Sequence, residues 1–301
     1  MIEVKKITKK FGDFTALDNV TCTIPEGSIY GMVGSNGAGK STLLRLMSGV
    51  YQPDDGEILI DGAPVWENKA VKTQIAYVPD ELFFLGGATM TRMAKLYAAA
   101  YPTFDKQRFT ELAAAFGLDT KKPLSTFSKG MRRQASTILA LSSRPKYIFF
   151  DETFDGLDPI MRTLVKKLIC NDVLERNATA IITSHSLREL EDTCDQLALL
   201  HKGGLVLQSD VGNLKTSLFK VQIAFNSDYT QDIFNDLDVL HYTRHGSVAN
   251  LIVRGDREQT VATLQAKMPI LLDVLPLTLE EVFTYEMEAL GYIFETEEGQ
   301  K

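Results

Sequence analysis

Cysteine is scarce in this chain, with three in 301 residues, and Cys22, Cys170 and Cys194 are too far apart for a metal-ligand or redox pattern. A disulfide framework is therefore excluded, and buried thiols in a reducing compartment are expected. Long apolar runs are also missing. No segment approaches the roughly 20 apolar residues that a spanning helix needs, and the opening MIEVKKITKKFGD has no signal-peptide core. Positive charge is not in surplus: 32 Lys and Arg stand against 39 Asp and Glu, a formal net charge of -7. That balance argues against a broad nucleic-acid surface, and no nucleic-acid partner is expected. With 45% hydrophobic and 24% charged residues, the composition is that of an ordinary soluble globular protein. The expected location is cytoplasmic, with any role at a membrane exercised through a partner.

Two regimes succeed one another along the chain. Over 1–212, short β-branched or aromatic runs alternate with glycine-bearing turns and amphipathic helical stretches. Ile29–Val33, Gln74–Val78, Tyr147–Phe150, Thr179–Ser184 and Gln196–Leu200 read as strands. The nearly continuous apolar character of Tyr147–Phe150 and Ala180–Thr183 fits parallel strands buried on both faces, so an α/β sheet with crossover helices is predicted. A helical insert runs from Gly87 to Leu124, and with the stretch after it forms a helical subdomain over about 87–145. Over 213–301 a small α+β domain is expected. It contains a strand at Phe219–Phe225, a hairpin across His245-Gly246-Ser247, and a last helix capped by Thr278 with Glu281 reaching back.

The chemistry begins at Gly34-Ser35-Asn36-Gly37-Ala38-Gly39-Lys40-Ser41, which fits G-x-x-x-x-G-K-[ST], with Thr42 next. A strand precedes it and a helix comes after, the context that this motif requires. Glycines let the backbone fold around phosphates with its N–H groups turned inward, at the positive end of a helix dipole. Lys40 supplies a point charge for the β- and γ-phosphates, and the Ser41 hydroxyl is placed for Mg²⁺. Further along, Tyr147–Phe150 ends in Asp151-Glu152. The buried strand delivers Asp151 to its carboxyl end, where it can join the magnesium shell. Glu152 points elsewhere and can polarise a water for attack on the γ-phosphate. Between the two lies Phe127-Ser128-Lys129-Gly130-Met131, where Ser128 reads as a helix N-cap with Gly130 in the first turn, a second anion-binding arrangement.

In this order and spacing, residues 1–210 resemble the ATP-binding subunits of ABC transporters. The resemblance implies a P-loop NTPase fold with a mixed sheet core, a helical subdomain that carries the signature, and ATP with Mg²⁺ as ligands. It also implies a head-to-tail dimer with itself or a paralogue, in which Ser128, Lys129 and Gly130 complete the phosphate site of the other protomer. Phe127, Lys129 and Met131 replace the commoner Leu, Gly and Gln, while the contact positions Ser128 and Gly130 are kept. By the same resemblance Phe11 stacks on adenine, Asp158 organises the dimer interface, and His185 touches the γ-phosphate beside Glu152. Where the family usually places a magnesium-shell glutamine, this chain reads Pro79-Asp80-Glu81, so Asp80 is the expected metal ligand with Glu81 as the alternative.

The segments Tyr101–Asp105, FSKGM and Leu279–Glu288 further resemble bacterial exporter-type ATPases that work with separate ABC-2-type permeases. The expected function is thus an ATPase that powers export of a small molecule or peptide through an integral membrane permease, peripheral on the inner face of the membrane. The rivals are an ABC ATPase acting on ribosomes or nucleic acid, and a regulatory switch worked through the 213–301 domain. A monomeric kinase or GTPase has no use for the Ser128–Gly130 signature.

Overall fold

The computed structural model describes residues 1–289 and Gly291; Leu290 and residues 292–301 of the expected C-terminal domain lie outside the described residues. The chain divides into two compact units, Met1–Gln208 and a second that begins at Ser209.

In the first unit a six-stranded sheet carries, in order, Gly204–Asp210, Gln196–His201, Ile29–Val33, Thr179–Ser184, Tyr147–Phe150 and Ile75–Val78. The pairs from Gln196–His201 through Ile75–Val78 are all parallel. Every residue of Ile29–Val33, Tyr147–Phe150 and Thr179–Ser184 is buried, as central strands covered on both faces must be. The sheet and helices together form an α/β fold. Beside this sheet stands an antiparallel one that the sequence pattern did not reveal. It is ordered Phe14–Ile24, Ile2–Phe11, Asp55–Ile60 and Ala63–Pro64, and register shifts in the first hairpin break the two-residue alternation that would have marked it.

The helix Lys40–Met47 joins the two sheets. Of its buried positions, Lys40, Leu43, Leu44 and Met47 fall on one face by helical spacing, and Leu46 is buried as well. Its leucines and Met47 pack into a core with Ile2, Ile7, Leu17 and Ile58 of the antiparallel sheet and Tyr30, Met32, Tyr147 and Phe149 of the parallel one. The start of this helix is thereby fixed from two sides.

The helical insert contains Met90–Ala100, capped by the Thr89 side chain, and Lys106–Ala115, capped by Asp105. Lys129–Ser142 comes next, capped by Ser128 and buried along most of its length. The long helix Pro159–Arg176 starts on an Asp158 cap with Pro159 in its first turn. It stops at Asn177 in the left-handed conformation (φ 55°). Asp172 on this helix is 1% exposed and accepts from Arg176 at 2.8 Å and also from Arg108 of the helical insert.

The second unit is an antiparallel sheet ordered Asp238–His245, Val248–Arg254, Leu218–Ala224 and Leu271–Pro276. Its core gathers Val221, Ile223, Phe234, Leu251 and Leu264. The Thr278 capping box forms as expected: Glu281 N–H donates to Thr278 Oγ1 at 3.2 Å, and Thr278 N–H donates to the Glu281 carboxylate at 2.8 Å. A single 3₁₀ turn forms at Gln231–Phe234. Burial pushes the Cys22 thiol up to about 12, consistent with an unreactive core residue.

Replacing Asp172 with Ala leaves two guanidinium groups facing a vacated buried acceptor. Denaturant unfolding should show a loss of about 3 kcal/mol, and unchanged stability would mean that the Arg108–Asp172–Arg176 cluster contributes nothing to the fold.

Candidate active site

Parallel strands end on the same edge of their sheet, so the loop after each strand meets the loops after its neighbours. Here that edge gathers residues 34–42 after Ile29–Val33, Asp80 after Ile75–Val78, Asp151 and Glu152 after Tyr147–Phe150, and His185 after Thr179–Ser184.

The phosphate loop has Gly34 and Ala38 buried and Ser35, Asn36 and Gly37 exposed at its tip. Gly39, at φ 105°, forms the cap of Lys40–Met47 without a side-chain hydrogen bond. A Cβ on Gly39 would stand 2.7 Å from Leu17 Cδ2, and one on Gly34 would stand 2.3 Å from the Leu200 carbonyl oxygen. Both glycines are thus required by the close approach of the loop to its surroundings.

The loop is wrapped around its own lysine. Lys40 is 5% exposed, and its ammonium donates to the Gly34 carbonyl at 2.6 Å and the Ser35 carbonyl at 3.3 Å. Its counter-charge is Glu152 Oε1, also at 3.3 Å. A buried ammonium needs such partners. Carbonyl oxygens and a single carboxylate hold it less strongly than a polyphosphate would, so the arrangement can exchange partners with an incoming nucleotide.

Asp151 is fully buried and accepts three hydroxyl hydrogen bonds. Ser41 and Thr183 donate to Oδ1 at 2.8 and 2.9 Å, and Tyr77 donates to Oδ2 at 2.9 Å. Burial, and then the Asp151 charge beside it, push the Tyr77 phenol well above its usual value, which keeps it protonated as a donor. The Ser41 and Asp151 oxygens are hard donors 2.8 Å apart. Octahedral Mg²⁺ with bonds near 2.1 Å needs adjacent ligand oxygens about 2.9 Å apart, so this pair fits the ion.

Glu152 occupies the left-handed region at φ 47°, unusual for a residue with a side chain and costing about 1–3 kcal/mol. Its backbone is held at both ends: its N–H donates to Thr183 Oγ1 at 3.0 Å, and its carbonyl accepts from Arg133. Its carboxylate spans Lys40 on Oε1 and His185 Nδ1 on Oε2, the latter at 3.1 Å. Asp155 joins this group: one ligand atom each of Glu152, Asp155 and His185 lie within 4.8 Å of one another.

Other expected site residues sit apart from this cluster. The Asp80 carboxylate accepts from Arg133 Nη2 at 2.6 Å, and no hydrogen bond links it to Ser41 or Asp151. Glu81 is exposed. Ser128 caps its helix by accepting from Met131 N–H at 3.2 Å, and Lys129 is exposed beside it. Gly130 approaches the loop before Asp158 so closely that a Cβ would lie 2.9 Å from the Gly156 carbonyl oxygen. Asp158 accepts from Ile160 and Met161 N–H, both at 3.0 Å. Phe11 is 45% exposed, with Tyr51 edge-on at 5.6 Å between ring centroids.

Tyr77, Thr183 and Arg133 were not singled out from the sequence. Tyr77 and Thr183 carry a signal in hindsight, since each is a hydroxyl near the carboxyl end of a strand flanking Tyr147–Phe150. Arg133 had a fainter one, as a basic residue within a helix that otherwise reads as buried.

Comparison with known proteins gives a consistent picture. The family model for "ABC transporter" matches residues 17–155. The chain is 31% identical over 283 residues to the ABC transporter ATP-binding protein YtrB of Bacillus subtilis, covering 94% of this chain and 97% of that one. It is 31% identical over 218 residues to the bacitracin transport ATP-binding protein BcrA of Bacillus licheniformis, covering 71% of each. Among solved structures, an ATP-binding subunit of an ABC transporter aligns with a TM-score of 0.67 at 26% identity, covering 71% of this chain and 92% of that one. A dimeric post-hydrolysis state of the ATP-binding cassette MJ0796 bound to ADP and Pi shares the fold, with a TM-score of 0.64 at 20% identity over 70% of this chain and 99% of that one.

Thr183→Val keeps the shape of the side chain but removes a hydroxyl that serves both Asp151 and Glu152. Thermal melting should register a loss of about 1–3 kcal/mol together with a fall in ATPase rate. A variant with wild-type stability and rate would show that this hydroxyl organises neither residue.

Proposed function

This chain belongs to the family of ABC transporter ATP-binding proteins, and we propose that it powers export of a small molecule or peptide through a separate ABC-2-type membrane permease. ATP binding and hydrolysis are the activity of the family. Among the described residues no helix is long and apolar enough to cross a membrane, which fits a subunit that meets the membrane through its permease. The bacitracin transport protein among the relatives supports a peptide-like cargo, and the resemblance of the FSKGM and C-terminal segments to exporter-type ATPases supports the direction.

The observation that carries the catalytic reading is the placement of Glu152 between Lys40 and His185. When phosphates enter the loop, Lys40 leaves the Gly34 and Ser35 carbonyls and Glu152 for phosphate oxygens. Glu152 is thereby freed to orient the attacking water and accept its proton, while His185 keeps the carboxylate aimed and contacts the γ-phosphate. Ser41 and Asp151 would hold Mg²⁺, which when bound would supply charge neutralisation on the phosphates. Phe11 offers its exposed ring to the adenine.

Ser128, Lys129 and Gly130 make no hydrogen bond to the phosphate loop of their own chain, and Ser128 and Lys129 face solvent. We assign them to the loop of a second protomer in a head-to-tail dimer, the copy being the same chain or a paralogue, with Asp158 at the interface. The dimeric form of the MJ0796 cassette supports this assembly.

Glu152→Gln should lower ATP turnover by at least about 100-fold while light scattering with ATP shows a persistent dimer; wild-type turnover would refute the catalytic assignment. The transport reading is checked by purification from native membranes. Recovery with an integral membrane subunit is expected, and sedimentation with ribosomes would contradict it.

A further inference from the structure

Arg133 is 1% exposed, and its guanidinium is the meeting point of three segments. It lies near the start of Lys129–Ser142, the helix capped by Ser128. Nη1 donates to the backbone carbonyl of Glu152. Nη2 donates to both the carbonyl and the carboxylate of Asp80, at 3.0 and 2.6 Å. Asp80 is the carboxylate paired with this buried cation, and its own side chain remains 46% exposed.

From this we infer that Arg133 is a positioning residue for the catalytic glutamate, and that Asp80 acts as its counter-ion and not as a magnesium ligand. The inference rests on Glu152 being the carboxylate that orients water. Glu152 adopts a backbone conformation that residues with side chains rarely hold. Such a conformation persists where neighbours fix it. Thr183 fixes the N–H side, and Arg133 fixes the carbonyl side. If the carbonyl is released, the peptide can rotate and carry the carboxylate away from Lys40 and His185. Arg133 in turn stays in place only while its charge is balanced in a site that excludes water. Asp80 supplies that balance from the loop after Ile75–Val78, so displacement of this loop is transmitted through one guanidinium to Glu152. The same helix holds Ser128 and Gly130, so the loop, the catalytic turn and the signature are joined by a single side chain.

The experiment compares Arg133→Met, Arg133→Lys, Asp80→Asn and Asp80→Ala in the full-length chain. ATPase rate is measured against both ATP and Mg²⁺ concentration, with melting curves as a control. Arg133→Met should lower kcat by at least about tenfold, the scale expected when a reacting group is misplaced, with KM for ATP within about twofold of wild type. Arg133→Lys, which keeps the charge but cannot span all three acceptors, should fall between the two and serves as the test should the Met variant fail to fold. Asp80→Ala should resemble Arg133→Met, and Asp80→Asn, which still offers an acceptor oxygen, should be milder. Neither Asp80 variant should change the Mg²⁺ concentration for half-maximal rate. The inference is overturned if the Asp80 variants raise that Mg²⁺ requirement severalfold, or if Arg133→Met, or Lys in its place, keeps wild-type kcat. Glu152→Gln run alongside separates the two levels. If it keeps full turnover, the catalytic reading itself fails; if it is inactive while the Arg133 variants are normal, only the positioning role fails.

Discussion

The interaction on which the active site depends is the burial of one positive charge. Lys40 is almost wholly enclosed by the loop that it belongs to, held by two carbonyls and paired with Glu152. Enclosing an ammonium is unfavourable without such partners, so the loop, the lysine and the glutamate form one electrostatic unit. The Glu152 carboxylate is thus engaged with the lysine. The two residues are therefore linked through one ion pair: any group that draws Lys40 away leaves the Glu152 carboxylate held by His185.

This unit is held in position by the sheet edge. Because Ile29–Val33, Thr179–Ser184, Tyr147–Phe150 and Ile75–Val78 are neighbours and parallel, their carboxyl ends bring Ser41, Thr183, Asp151 and Tyr77 into one hydrogen-bonded group. The helix Lys40–Met47 cannot shift to loosen that group, since one core packs it against both the parallel sheet and the antiparallel sheet beside it. Rigid strands thus set the Ser41 and Asp151 oxygens, while the loop tip and the Ser128–Lys129 turn are more exposed.

Most residues of the candidate site were legible in the sequence because the chemistry expected of them requires fixed spacing. The phosphate loop, the Asp151-Glu152 strand end and His185 are consecutive in the chain or lie directly at a strand terminus, and the structure gathers the loop lysine and serine with them. The antiparallel sheet was not legible, since bulges erase its alternation. Tyr77, Thr183 and Arg133 were at most faintly legible, because their roles come from neighbours in space and not in sequence. Asp80 shows the limit most clearly. By alignment with a family pattern it reads as a metal ligand, yet its carboxylate lies on a buried arginine that no local motif announces.

The central claim is that Glu152 competes with phosphate for Lys40. Equilibrium titration of ATP against Glu152→Gln tests it directly, because the amide removes the competing charge without removing the lysine. ATP affinity tighter than that of the wild-type chain is the expected result. Affinity weakened tenfold or more, about 1.4 kcal/mol, would contradict the account, since the carboxylate would then be assisting nucleotide binding and not holding its place.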